Sequence, residues 1–303
     1  MDQDLIDRIH NLKKEKNAII LSHNYQIPEV QDVADFLGDS LELSIKASKT
    51  EAKVIVFCGV HFMAETAALL SPDKIVLMPD IHAGCPMADM ITAEQLREMK
   101  RTHPGAIVVC YVNTSAEIKA ESDICCTSSN AVKVVQSIPK NQEIIFIPDK
   151  HLAKFVEDRT GRKMIVFDGY CPSHVRMMAE ELHLVQETFI GAPVLVHPEA
   201  PSDIIQEADQ VLSTSGICRA AKESESSTII VATEPGIIYR LKKENPEKTF
   251  IPACKWCNCA NMKMNTLEKI LWALEDMNNQ IHIPDDIKSK ARRAVEKMIQ
   301  LTG

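Results

Sequence analysis

The chain has 303 residues, of which 45% are hydrophobic and 25% are charged, a composition typical of soluble globular proteins and unlike that of disordered or fibrous chains. No stretch approaches the ~18 uninterrupted apolar residues of a membrane span, and the acidic start Met1-Asp2-Gln3-Asp4 lacks the layout of a signal peptide. A net charge of −8 disfavours nucleic-acid and anionic-membrane partners. We expect a cytoplasmic protein of two or three domains.

An internal repeat of about 87 residues organises the chain. In each copy a short apolar run ends in a polar triplet, and a hydroxyl residue and a closing cysteine follow at nearly constant distances. The triplets are His23-Asn24-Tyr25, Tyr111-Val112-Asn113 and His197-Pro198-Glu199. The hydroxyl residues are Ser40, Ser128 and Thr214, and the closing cysteines are Cys85, Cys171 and Cys259.

Other features also recur in each copy. An aspartate opens the second apolar run, as Asp35, Asp123 and Asp209, and a lysine introduces the last run, as Lys74, Lys163 and Lys248. Agreement at this many positions predicts three copies of one structural unit.

Apolar runs alternate with amphipathic segments throughout the repeat. Among the amphipathic segments are residues 40–50, 131–137 and 236–245, and such alternation predicts βαβ units and parallel sheets. The predicted fold class is α/β, with three homologous three-layer α/β/α domains around a pseudo-threefold axis. The predicted divisions are an N-terminal helix (1–16), three repeats (17–89, 90–176 and 177–261) and a C-terminal helical segment (262–303).

The ten cysteines fall into two groups. Cys58, Cys110, Cys125 and Cys126 lie in apolar runs and are predicted to be core residues. The cluster Cys254-Lys255-Trp256-Cys257-Asn258-Cys259 instead indicates metal or redox chemistry. One hypothesis is a structural zinc at its three thiols in a small-molecule binding protein; another is a reversible disulfide between Cys254 and Cys257.

The repeat predicts where a ligand binds. In parallel sheets ligands bind at the carboxyl ends of the strands, where the triplets, the hydroxyl residues and the closing cysteines all fall. Around a threefold axis these residues line one pocket, although each Ser or Thr taken alone is equally well explained as a helix N-cap. Three converging thiolates suit a [4Fe–4S] cluster with one iron left open as a Lewis acid, whereas a zinc ion would need a fourth ligand.

Several longer motifs resemble the quinolinate synthase family, and the resemblance covers nearly the whole chain. The motifs are Ser22-His23-Asn24-Tyr25-Gln26, Cys58-Gly59-Val60-His61-Phe62-Met63-Ala64-Glu65-Thr66, Pro79-Asp80 with Ala83-Gly84-Cys85, Cys126-Thr127-Ser128-Ser129-Asn130-Ala131, His197-Pro198-Glu199, and Cys259-Ala260-Asn261-Met262-Lys263-Met264-Asn265. The cysteine cluster is C-x-x-C-x-C, where some members of the family have C-x-x-C-x-x-C. Both the residues after Cys259 and its place in the repeat favour Cys259 as the ligand.

The resemblance implies three α/β domains around an oxygen-sensitive [4Fe–4S] cluster held by Cys85, Cys171 and Cys259. It implies condensation of iminosuccinate with dihydroxyacetone phosphate to quinolinate, phosphate and water in NAD biosynthesis, with possible functional coupling to the L-aspartate oxidase that supplies the imine. The catalytic residues it implies are His23, Tyr25, Tyr111 and Glu199. The substrate contacts are His23, Ser40, Tyr111, Val112, Asn113, Ser128, His174, His197, Pro198, Glu199 and Thr214. No phosphate-binding G-x-x-x-x-G-K-[ST] loop and no G-x-G-x-x-G motif occurs, so nucleotide-dependent chemistry is not expected.

Overall fold

A computed structural model describes residues 3–301, which form three four-stranded parallel sheets separated and covered by helices. In each sheet the first strand of the unit lies between the second and the third, and the fourth pairs with the third. All three sheets therefore have the same topology. The predicted α/β class with three homologous α/β/α units is therefore confirmed. The predicted domain boundaries stay a proposal, in which each unit contains one sheet.

The strands are short, and the two inner strands of each sheet are almost wholly buried, as expected where helices cover both faces of a parallel sheet. Their bounds are β1 (Ala18–His23), β2 (Phe36–Gly38), β3 (Val54–Cys58), β4 (Ile75–Leu77), β5 (Ile107–Tyr111), β6 (Ile124–Cys126), β7 (Ile144–Ile147), β8 (Ile165–Val166), β9 (Val194–Val196), β10 (Gln210–Val211), β11 (Thr228–Ala232) and β12 (Thr249–Pro252).

Helices connect the strands, and one helix precedes the first strand of every unit. The bounds are α1 (Gln3–Glu15), α2 (Pro28–Val33), α3 (Ser40–Lys49), α4 (His61–Leu70), α5 (Ala93–Thr102), α6 (Ala116–Ala120), α7 (Ala131–Ser137), α8 (Lys150–Thr160), α9 (Ala179–Thr188), α10 (Ser202–Gln206), α11 (Thr214–Glu223), α12 (Ile237–Glu244), α13 (Leu267–Asp276) and α14 (Asp285–Gln300). The helix α13 packs on α1, and α14 packs on α4, α6 and β6. Within the described residues, no helix is both long and apolar enough to cross a membrane.

The repeated aspartates have one structural task in all three units. The carboxylates of Asp35, Asp123 and Asp209 each accept a hydrogen bond of 2.7–2.8 Å from a backbone N–H of the first strand. Each aspartate thereby ties the start of the second strand to the first. These residues recur in the sequence because the same strand crossover is built three times.

The repeated basic residue holds the C-terminal end of a helix. Lys74 donates to the backbone oxygen of Thr50 after α3, and Lys248 donates to that of Ser224 after α11. In the second unit the neighbouring Arg162 takes this role, donating to the carbonyl after α7 at 2.6 Å, while the aligned Lys163 is exposed. A cationic side chain recurs at this place because the last carbonyl groups of a helix have no hydrogen-bond partner within the helix.

Candidate functional site

One cavity, at the carboxyl ends of the strands, receives side chains from all three units. It encloses about 650 Å³ of atom-free space, part of it open to solvent. Thirteen of the residues predicted from the sequence line it: His23, Tyr25, Ser40, Cys85, Tyr111, Asn113, Ser128, Cys171, His174, His197, Glu199, Thr214 and Cys259. The equivalent strand ends of the three units thus converge, as the repeat predicts.

Val112 and Pro198, the middle residues of two triplets, are not among the side chains that line the cavity. Both are buried, and Val112 packs in the main hydrophobic core while its backbone N–H bonds to Cys126. Each triplet lies where its strand gives way to a turn or bend. The side chains of the flanking residues line the cavity and that of the middle residue does not.

The three hydroxyl residues are not the side chains that cap their helices. The capping side chains of α3 and α11 belong to the preceding residues, Asp39 and Ser213. Ser40 and Thr214 are the first residues of those helices, and Ser128 lies before α7. The N-cap explanation for these three residues is therefore wrong, and their hydroxyls are placed at the cavity wall.

The two triplet histidines share one hydrogen-bonding arrangement. The backbone N–H of Tyr25 donates to His23 Nδ1 at 3.2 Å, and that of Glu199 donates to His197 Nδ1 at 3.3 Å. Because Nδ1 accepts, the ring proton of each neutral imidazole is on Nε2. Burial lowers the pKa of His23 to about 4 and that of His197 to about 3, despite the opposing effect of nearby carboxylates. Both histidines are neutral Nε2–H donors at neutral pH.

Glu199 is the central acceptor of the site. Its Oε1 accepts from the Tyr111 hydroxyl at 2.5 Å and from Asn113 Nδ2 at 3.3 Å, and its Oε2 lies 2.9 Å from His174 Nδ1. Burial alone would raise the pKa of Glu199, but the His174 imidazole and the Tyr111 hydroxyl hold it below its ordinary value. Burial and the Glu199 charge raise the pKa values of Tyr25 and Tyr111, so both phenols keep their protons.

The three closing cysteines fit a polynuclear cluster better than a single ion. Cys85, Cys171 and Cys259 are free thiols that line the same cavity. Sulfur ligands of one zinc ion lie roughly 4 Å apart, and among residues 3–301 the three sulfurs do not form a set within 4.8 Å. Such a set is formed instead by Cys171, His174 and Glu199.

Burial and a bound metal cation have opposite effects on the protonation of these three thiols. Burial raises the pKa of Cys85 to about 12 and raises those of Cys171 and Cys259. A bound metal cation would reverse that effect, because it would stabilise the thiolate directly. The three thiols are a donor set that fits an iron–sulfur centre.

The cysteine cluster after β12 divides into a disulfide and a free thiol. Cys254 and Cys257 are joined in a disulfide and buried, whereas Cys259 is free. The disulfide leaves Cys259 as the one free thiol of this cluster, so the hypothesis of a zinc ion held by its three thiols is contradicted. The core prediction is confirmed for Cys58, Cys110, Cys125 and Cys126, all with no exposed surface.

The chain matches one known protein family over nearly its whole length. The profile of the family described as Quinolinate synthetase A protein matches residues 7–300. The chain belongs to this family. Relatives named quinolinate synthase are 55% identical in Dehalococcoides mccartyi strain CBDB1 (99% of this chain, 100% of the relative), 50% in Thermodesulfovibrio yellowstonii (98% and 98%) and 48% in Methanosarcina barkeri (98% and 97%). The family resemblance seen in the sequence motifs is confirmed.

Two buried acids of this family member line the cavity and were not predicted from its sequence. Asp39 accepts from the Ser129 and Ser213 hydroxyls at 2.8 and 3.0 Å, and so joins all three units. Glu234 accepts from the backbone N–H of Cys259 at 3.2 Å and pairs with Lys263 at 2.9 Å. Asp39 stands where the other copies have Thr127 and Ser213, so the repeat could not reveal it, although its adjacency to Ser40 was a signal. Glu234 is matched by the buried Asp149 in the second unit, two residues after the corresponding strand.

Proposed function

We propose that this protein is a quinolinate synthase, which condenses iminosuccinate with dihydroxyacetone phosphate to quinolinate, phosphate and water in NAD biosynthesis. The observation that carries the proposal is the convergence of three free thiols, one from each unit, on a cavity that also holds an ionised glutamate and neutral hydrogen-bond donors. Membership of the quinolinate synthetase A family supports the same activity.

In this proposal Cys85, Cys171 and Cys259 hold a [4Fe–4S] cluster. When bound, the cluster supplies an iron with an open coordination position that polarises a substrate oxygen as a Lewis acid. The Glu234–Cys259 hydrogen bond orients the third ligand through its backbone. Lys263, which pairs with Glu234, also donates to the backbone oxygen of Tyr25 and so connects the ligand loop to the first triplet.

The remaining walls suit anionic substrates without a cationic side chain. No Lys or Arg is among the described residues that line the cavity. Carboxylate and phosphate oxygens would instead be bound by the Nε2–H groups of His23 and His197 and by neutral side chains. The N-termini of α3 and α11, which begin at the cavity wall, add favourable electrostatic potential for an anion. The neutral donors are Ser40, Asn113, Ser128 and Thr214.

The proton carriers are divided by protonation state. Glu199 is ionised and can take a proton from a substrate carbon or nitrogen, while Tyr25 and Tyr111 retain protons that they can donate to a leaving oxygen. Isomerisation and loss of water need both kinds of group. We assign Glu199 as the base, and the two phenols and His23 as the donors.

The proposal places the enzyme in the cytoplasm, beside the reaction that supplies its unstable imine. Iminosuccinate hydrolyses readily in water, so a functional coupling with L-aspartate oxidase is part of the proposal. The proposal includes no nucleic-acid partner, because a net charge of −8 disfavours binding to the phosphate backbone.

The test is made on protein purified without oxygen, as wild type, Cys85→Ala and Cys218→Ala. Cys218 is a matched control, because it is a buried free cysteine that does not line the cavity. We expect a brown wild type with about four irons per chain that forms quinolinate from the two substrates. Cys85→Ala should lose both properties and Cys218→Ala should keep them. A colourless wild type, or full iron and turnover in Cys85→Ala, would contradict the proposal.

A further inference from the structure

Asn24, the middle residue of the first triplet, lies behind the cavity wall and has no role in the proposed chemistry. The middle residues of the other triplets, Val112 and Pro198, are apolar. We propose that Asn24 is a positioning residue: its amide, held by Arg240, directs the hydroxyl proton of Thr214 into the cavity, where Thr214 donates to an anionic group of a substrate. The inference rests on the proposed function, which it deepens.

The contacts join the first unit to the third. Asn24 Nδ2 donates to Thr214 Oγ1 at 2.9 Å, and Arg240 Nη1 donates to Asn24 Oδ1 at 2.6 Å. Asn24 has no exposed surface. Arg240 is itself held in place, because Nη1 also donates to the backbone oxygen of Leu37 and Nε donates to Glu244. The amide group of Asn24 is therefore fixed on both sides.

The direction of each hydrogen bond follows from the guanidinium at one end. A guanidinium only donates, so the Asn24 atom that faces Arg240 is the oxygen, and the amide nitrogen faces Thr214. Thr214 therefore accepts from Asn24 and keeps its own proton for another partner. Within residues 3–301 the Thr214 hydroxyl donates to no protein atom, and its side chain lines the cavity. A bound ligand is thus the acceptor that this proton can reach.

The surroundings of the Thr214 hydroxyl indicate that this acceptor is an anion. Thr214 is the first residue of α11, and the N-terminus of a helix has a favourable potential for negative charge. Arg240 adds a positive charge behind the same part of the wall. A hydroxyl that donates to a carboxylate or phosphate oxygen forms a charge-assisted hydrogen bond, which is stronger than one between neutral groups. An acceptor in place of Asn24 Nδ2 would instead draw the Thr214 proton out of the cavity.

The experiment uses the full-length holoenzyme purified without oxygen and measures Kd by calorimetry with two probes, quinolinate and inorganic phosphate. Asn24→Asp keeps an oxygen towards Arg240 and replaces the donor towards Thr214 by an acceptor. We expect Asn24→Asp to raise the Kd of one probe about 10- to 100-fold, with a matching rise in KM for the corresponding substrate and a smaller effect on kcat. A rise for quinolinate assigns Thr214 to a carboxylate, and a rise for phosphate assigns it to the phosphoryl group. Iron content should match wild type, and Asn141→Asp, the same change at an exposed asparagine, should bind both probes as wild type does.

Repeating the change in the Thr214→Val background separates positioning from charge. Without the Thr214 hydroxyl there is no proton to redirect, so Asn24→Asp should then change Kd by about threefold or less, and the two substitutions should be strongly non-additive. Arg240→Met is a second variant, which frees the amide to turn without placing a charge in the core. It should raise the same Kd about 3- to 10-fold, and by less than about twofold in the Thr214→Val background.

The inference is overturned if Asn24→Asp weakens binding by the same factor in both backgrounds, because the added charge would then act without Thr214. Unchanged Kd values for both probes, or a wild type that binds neither probe, would overturn it too. If Asn24→Asp does not fold, the Arg240→Met comparison decides. Failure of the wild type to form quinolinate from its two substrates is a separate result, which contradicts the proposed function; the phosphate titrations do not depend on turnover and still test the inference.

Discussion

At the scale of single residues, the neighbours of Glu199 decide what this buried acid can do. An isolated carboxyl group in the same place would be protonated, because burial disfavours its charge. The Tyr111 hydroxyl, the Asn113 amide and the His174 imidazole reverse this by donating to its two oxygens. Glu199 is thereby kept in the ionised form that a general base requires.

Replacing Glu199 by Gln should lower kcat by about 100-fold or more while cluster content is retained, because the amide keeps the shape but cannot take up a proton. The measurements are quinolinate formation under saturating substrates and iron analysis of the same preparation. As a control, Glu207→Gln changes an acid that lies outside the cavity and should be indistinguishable from wild type. Comparable turnover in Glu199→Gln would refute the assignment of Glu199 as the base.

The neutral histidines predict how stability depends on pH. An ordinary imidazole titrates near 6.5, whereas burial lowers the pKa of His23 to about 4 and that of His197 to about 3. As the pH falls below 6.5, the unfolded chain binds protons that the native state does not, and protonation therefore favours unfolding. The stability given by the neutral forms is complete above about pH 6.5 and is lost progressively towards pH 4.

Urea midpoints between about pH 7.5 and 5.5 measure this effect. The free energy of unfolding should fall with decreasing pH in wild type, and the fall should be smaller in His23→Gln because one depressed pKa is removed. His282→Gln, a change at an exposed histidine, should leave the slope as in wild type. An unchanged slope in His23→Gln would show that His23 is not held neutral.

At the scale of secondary-structure elements, the repeated polar residues hold strands and helices in register. The aspartate of each unit bonds the backbone of the first strand, and a cation in each unit binds the carbonyl after a helix. These contacts are local, within about 35 residues along the chain, and each repeats with the supersecondary structure. A residue type that recurs at the same place in all three copies therefore need not be catalytic.

Removal of one repeated aspartate should weaken its unit without touching the cavity. Asp123→Ala leaves the backbone N–H of Val108 without its carboxylate partner, and we expect a loss of about 1–3 kcal/mol in the free energy of unfolding. Glu51→Ala, at an exposed acid, should stay within about 0.5 kcal/mol. Urea unfolding of both proteins decides the matter: equal stabilities would mean that the strand crossover does not need Asp123.

At the scale of the whole molecule, hydrogen bonds between units complete the site. Asp39 of the first unit caps α3 and also accepts from Ser129 of the second unit and Ser213 of the third. At the surface, Asp32 joins the first unit to the third by binding Tyr239 and Lys243. We expect the buried junction at Asp39 to contribute more to stability than the surface junction at Asp32, because solvent screens the surface contacts.

Asp39→Ala should lower the free energy of unfolding by about 2–3 kcal/mol, since it removes a helix cap and leaves the buried Ser213 hydroxyl without its acceptor. It should also lower turnover, because Ser40 and Ser128 adjoin the lost contacts. Asp32→Ala should cost about 1 kcal/mol or less and leave turnover unchanged. The two variants are compared by urea unfolding and by quinolinate formation. A larger loss of unfolding free energy in Asp32→Ala than in Asp39→Ala would show that the surface junction contributes more to stability than the buried one.

Much of the site could be predicted because the repeat makes equivalent positions visible. Residues such as Ser40, Ser128 and Thr214 recur at one place in the chain, and equivalent strand ends must meet once three like units surround one centre. Asp39 has no acidic counterpart in the other units, where Thr127 and Ser213 stand at its position. Its partners Ser129 and Ser213 lie in those other units, so the local sequence pattern gives no sign of these contacts.

By itself the sequence determined the α/β class, the three sheets, the burial of the apolar runs and the convergence of the cavity residues, because local periodicity and repetition dictate these. Only the tertiary structure decided the protonation and the partners of the site. The Nε2–H state of His23, the ionised state of Glu199 and the contacts of Asp39 with the other two units depend on burial and on hydrogen bonds between residues distant along the chain. Such interactions exist only once the three units have packed together.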